Sequence, residues 1–137
     1  MDVLKRWLLP FLLGTLFALV LLRNQQPIQV FASEDERLRF LQEIGEERDV
    51  KLIALVTEWC PACRSLESSL DQLGVEYATA DLDRSIPGQQ LFERCVRLGG
   101  SRGIPKTIYG LEMVSAQDAV SRLKKEQQGR NPRPDSQ

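Results

Sequence analysis

Histidine is absent from this chain of 137 residues, cysteine occurs three times and methionine twice. A structural zinc knuckle takes four nitrogen or sulfur ligands, so three cysteines without histidine leave such a site short. Copper(I) handling through soft ligands has a cysteine pair available but no methionine cluster beside it. Excess charge is missing too: 18 basic against 19 acidic residues give a net charge of −1, which makes no case for nucleic acid and points to no partner by charge alone. Internal repeats are also lacking. The length suits one domain with extensions.

What is present centres on Lys51 to Leu73. Lys51-Leu-Ile-Ala-Leu-Val-Thr57 is aliphatic and β-branched with little alternation, which predicts a strand covered on both faces. Trp59-Cys60-Pro61-Ala62-Cys63 follows. Pro61 suits the first turn of a helix, Leu66, Leu70 and Leu73 recur at helical spacing, and Gly74 supplies the stop. Cys60 then falls at the helix N-terminus and Cys63 one turn in on the same face, with backbones about 5–6 Å apart, the separation a disulfide needs. Unpaired amides and the helix dipole favour the thiolate of Cys60, which can attack a substrate disulfide, and Cys63 resolves the mixed disulfide. A structural bridge closing so short a loop would restrain the unfolded chain little, so the pair reads as a redox centre.

At the N-terminus, Lys5 and Arg6 precede an uncharged run from Trp7 to Leu22, closed by Arg23. As a helix it spans about 24 Å against a hydrocarbon core of ~30 Å, near the lower limit for crossing. An apolar surface all round argues against a core helix in so small a protein. The expectation is an uncleaved single-pass anchor over residues 7–22, with residues 1–6 in the cytoplasm by the positive-inside rule. The alternative is a signal peptide cut near Ala32, after Val30-Phe31-Ala32. Either way the domain faces away from the cytoplasm, in a bacterium into the periplasm, where disulfides persist.

Residues 23–49 are expected to be a polar linker and an amphipathic helix. Ser33 with Glu36 reads as a capping box, Leu38, Phe40, Leu41 and Ile44 form the stripe, and Glu34, Asp35, Glu36, Arg37, Glu43, Glu46 and Glu47 form a solvated face. A second strand runs from Val75 to Asp81. Ser85 and Pro87 open a helix whose apolar face, with Leu91, Phe92 and Val96, includes Cys95, read as a buried small hydrophobe. After the loop Gly99-Gly-Ser-Arg-Gly103, Ile104 to Tyr109 and Leu111 to Val114 read as strands, and Ser115 with Asp118 caps a last helix. Residues 128–137 are expected to be a disordered tail.

Strand, Cys-Pro-Ala-Cys, helix, strand, helix, Ile-Pro, strand, strand, helix resembles the thioredoxin fold in its compact glutaredoxin-like form, over residues 50–127. The residues that carry the resemblance are Trp59 to Cys63, Gly74-Val-Glu-Tyr77 and Gly103-Ile-Pro-Lys-Thr107. It implies an α/β fold with a mixed four-stranded sheet flanked by helices, here preceded by the transmembrane helix. It further implies a protein disulfide oxidoreductase needing no bound cofactor and no metal, with Cys60 and Cys63 catalytic. Pro105 would be the family's cis-proline beside Cys60, with Ile104 offering backbone groups to an extended substrate and Trp59 and Pro61 completing the groove. Glu58 is the nearest carboxylate, which reads as a solvated strand-end residue with proton transfer as the alternative. Partners would be protein thiols or disulfides and a redox protein. Ser115-Ala-Gln-Asp118 stands where glutathione-using glutaredoxins carry Gly-Gly-x-Asp, matching only at Asp118. The motif also lacks the Cys-Pro-His-Cys dipeptide of strong periplasmic oxidants. Reaction direction and oligomeric state have no signature in the chain.

Overall fold

The computed structural model describes residues 27–47 and 49–130. In chain order these form β1 (Ile28–Gln29), α1 (Glu34–Glu43), β2 (Leu52–Val56), α2 (Pro61–Leu73), β3 (Tyr77–Asp81), α3 (Ile86–Arg97), β4 (Lys106–Tyr109), β5 (Glu112–Val114) and α4 (Ala116–Arg130). The strands make one mixed sheet in the order β1-β5-β4-β2-β3, with β2 parallel to β3 and the other pairs antiparallel.

Burial explains why β2 is central. All five of its residues are buried, because Ile53 and Leu55 face one layer of helices and Leu52, Ala54 and Val56 face the other. The first face is covered by Phe40 and Leu41 of α1 and Leu91 and Cys95 of α3. Cys63, Leu66 and Leu70 of α2, with Ala119 and Leu123 of α4, cover the second. Parallel β2 and β3 both end at the edge where α2 and α3 begin, so the helix N-termini and the loops leading into them gather there. This is the thioredoxin-like α/β arrangement, three layers with a mixed sheet in the middle.

Three departures from the sequence reading have physical causes. The sheet has five strands, not four, because Ile28 and Gln29 pair with Met113 and Glu112, and Val30 and Phe31 are buried just beyond them. The domain therefore begins within the stretch expected to be linker. Arg37, expected on the solvated face, is 7 % exposed: it donates to the Val50 carbonyl at 2.6 Å and pairs with Glu34, fastening α1 to the approach of β2. The last helix runs through Gln128, Gly129 and Arg130, since one glycine near the end of a helix rich in Lys and Gln does not stop it. The remainder of the expected tail and the expected anchor over residues 7–22 lie outside the described residues. Among the described residues, no helix is long and apolar enough to cross a membrane.

Candidate active site at the front of the second helix

Cys60 is the N-cap of α2. Its extended backbone (φ −86°, ψ 109°) turns the chain from β2 into the helix, Pro61 occupies the first turn, and Gly74 closes the far end with φ 61°. An N-cap side chain normally offers oxygen to the free amides of the first turn. Here sulfur takes that place: the Cys63 backbone N–H donates to Cys60 Sγ at 3.1 Å. The Cys60 amide is itself held by the Thr57 carbonyl at 3.3 Å. Cys60 and Cys63 are disulfide-bonded, with Cα atoms 5.3 Å apart. Both are buried, Cys60 at 4 % exposed and Cys63 at 1 %.

The other residues singled out in the sequence fall at the same edge. Trp59 is 68 % exposed, Pro61 is exposed beside it, and Ile104 and Pro105 are half-buried. The Ile104–Pro105 peptide bond is cis. The Ile104 carbonyl oxygen stands 4.0 Å from Cys60 Sγ, a van der Waals contact in the disulfide form because a bridged sulfur has no proton to donate. Glu58 points elsewhere: its side chain is exposed and ion-paired with Arg84 of the loop before α3. Among the described residues, no group of three or more His, Cys, Asp or Glu side chains could hold a metal ion.

Two features of this edge were not read from the sequence. Lys106, directly after Pro105, is 5 % exposed; its ammonium donates to the Ser101 carbonyl and lies 5.2 Å from the centre of the Phe92 ring. Burial pulls its pKa below the ordinary lysine value, opposed by the nearby Cys95, whose own thiol is pushed up by burial and drawn back by Lys106. The alternation of Lys106 with the buried Ile108 on one strand was the available signal. Thr57 Oγ1, just before the motif, is buried without a hydrogen-bond partner. Cys95, expected in an apolar stripe, is fully buried.

Fold and site together define a thioredoxin-type α/β domain carrying a Cys-x-x-Cys disulfide at a helix N-terminus. Comparison with known proteins finds similarity to glutaredoxins. A glutaredoxin of Ricinus communis is 29% identical over 63 residues, covering 46% of this chain and 62% of that protein. Glutaredoxin-C2 of Arabidopsis thaliana is 29% identical over 68 residues, 50% of this chain and 61% of its own length. The chain thus spans about three-fifths of the curated relatives it matches. No family model matches it. Among solved structures, a buckwheat glutaredoxin–glutathione complex superposes with a TM-score of 0.48 at 21% identity, covering 65% of this chain and 78% of that one. The glutaredoxin from Archaeoglobus fulgidus gives 0.47 at 18% identity, with 62% and 94% covered.

Proposed function

We propose that this chain is a thiol–disulfide oxidoreductase acting on protein thiols or disulfides through Cys60 and Cys63. One observation carries the reading: the Cys60 sulfur sits against a free amide at the front of α2, disulfide-bonded to a mate one turn behind.

In the reducing direction, the Cys60 thiolate attacks one sulfur of a substrate disulfide. The Cys60–substrate bond forms as the substrate S–S bond breaks, and the departing thiolate takes a proton from solvent. Cys63 then loses its proton and attacks Cys60 Sγ, releasing the second substrate thiolate and forming the Cys60–Cys63 bond. Two electrons pass from the dithiol to the substrate, and a redox partner protein restores the dithiol. The oxidising direction reverses each step. The Cys63 amide stabilises the Cys60 thiolate that attacks, because a hydrogen bond to an ionised acceptor is stronger than one to a neutral acceptor. In this reading the half-buried Ile104 and Pro105 and the exposed Trp59 and Pro61 border the path by which a substrate backbone reaches Cys60.

The proposal extends to the setting: an anchor over residues 7–22 holds the domain on the periplasmic side of a bacterial inner membrane. Its support is the uncharged run from Trp7 to Leu22 behind Lys5 and Arg6.

Insulin reduction by dithiothreitol tests the activity. The full chain is expected to accelerate B-chain precipitation over dithiothreitol alone, and Cys60→Ser to return it to that baseline. A wild-type rate no faster than the baseline would overturn the proposal.

A further inference from the structure

A buried ammonium is costly, and an apolar side chain of similar length would ordinarily be the more stabilising occupant of such a site. Lys106 is nonetheless buried under α3, between the Ser101 carbonyl and the Phe92 ring. Its position in the chain suggests why. The ladder between β4 and β2 starts at the Lys106–Leu55 pair, so Ile104 and Pro105 stand outside it. Upstream is Gly99-Gly100-Ser101-Arg102-Gly103, a segment with three glycines and correspondingly large backbone freedom. Gly100 is held by its amide on the Cys95 carbonyl at 3.0 Å. Beyond it, the Arg102–Glu93 ion pair is exposed at 3.5 Å, and the Gly103 amide reaches Ser101 Oγ only at 3.4 Å. The tie from the buried Lys106 back to the exposed Ser101 is itself partly shielded from solvent.

We infer that Lys106 is a positioning residue for exchange at Cys60: by clamping Ser101 it closes the 101–106 loop and holds the Ile104 carbonyl at the rim of the disulfide, where a substrate backbone docks. The inference rests on the function proposed above. Lys106 shares the sheet face of Leu55 and Ile108, whereas Cys60 and Cys63 pack on the other. The clamp therefore acts on the loop and not as a charge placed against the sulfurs.

Lys106→Met in the full chain keeps the length of the side chain and removes the ammonium. Losing about one hydrogen bond's worth of positioning should raise KM for insulin about fivefold. In the same variant kcat should fall less than twofold, the Cys60–Cys63 reduction potential in a dithiothreitol redox buffer should match wild type, and the melting temperature should not drop. An unchanged KM overturns the inference. So does a raised KM accompanied by a shifted potential, which would mean that the charge acts on the sulfurs. Should Lys106→Met fail to fold, Lys106→Gln takes its place, with amide hydrogen exchange at residues 101–104 faster than wild type as the expected result and unaltered exchange as the refuting one. A wild-type chain unable to reduce insulin removes the proposed function and the clamp together; an active wild type beside a Lys106→Met variant of normal KM removes only the clamp.

Discussion

The Cys63 amide can be deleted without touching the Cys60 side chain. Cys63→Ser removes the resolving sulfur and keeps the N–H that donates to Cys60 Sγ at 3.1 Å; Cys63→Pro removes both. Proline is tolerable here because position 63 lies in the first turn of a helix that starts at Pro61, where amides have no carbonyl partner inside the helix. A hydrogen bond to a charged group is worth ~1.5–3 kcal/mol, which corresponds to about 10- to 150-fold in thiolate population. A more basic thiolate is also a better nucleophile, with a Brønsted slope of ~0.4–0.5, so the net loss in reactivity near neutral pH should be about 4- to 20-fold. The assay is iodoacetamide alkylation of the two reduced variants, followed at Cys60 by peptide mass spectrometry, with circular dichroism to confirm equal helix content. Cys95, fully buried, should react far more slowly in both. Equal alkylation rates at Cys60 would refute the idea that the helix front activates this sulfur.

Three further outcomes are expected. Arg37→Ala should cost about 2–4 kcal/mol in urea unfolding, because it strands the buried Val50 carbonyl and empties the space under α1; a loss under ~0.5 kcal/mol, the range of ordinary surface changes, would show that this contact does not hold α1. Gly100→Ala would place a methyl 2.7 Å from the Cys95 carbonyl oxygen and should destabilise by ~1–3 kcal/mol, whereas Gly103→Ala, whose nearest neighbour is the Ser101 hydroxyl at 3.4 Å, should be tolerated; equal melting temperatures for the two would contradict the packing at Gly100. The carboxyls of Glu34, Glu36 and Glu126 are held below the usual range, first by Arg37, the Ala32 amide and Lys51 respectively. A depressed folded-state pKa contributes stability above the unfolded value, ~4.3 for glutamate, and loses it as pH falls through the folded one. Melting temperature should therefore decline below about pH 4.3, less steeply in Glu36→Gln, and identical acid profiles would refute the assignment.

Much of this architecture is legible in the sequence. The run Leu52 to Val56 lacks alternation because both its faces are covered, and Cys60, Pro61 and Gly74 mark the start and stop of α2 by capping rules that depend on local geometry alone. Ser33, Ser85 and Ser115 each accept the amide three residues on, as local patterns foretell. What escaped is what depends on distant partners. Two residues of β1 carry no periodicity, and only pairing with Met113 and Glu112 makes them a strand. Arg37 and Lys106 look like solvated charges until the carbonyls of Val50 and Ser101 are brought beside them. The cis bond before Pro105 has no local signature; it was expected only through the resemblance of the surrounding motifs.

Trapping a mixed disulfide tests the central claim most directly. Reduced Cys63→Ser, mixed with a peptide disulfide, should accumulate a covalent adduct whose mass equals protein plus one half of the peptide, mapped to Cys60, while Cys60→Ser should form none. An adduct on Cys63 or Cys95, or equal trapping by both variants, would contradict the assignment of Cys60 as the attacking sulfur.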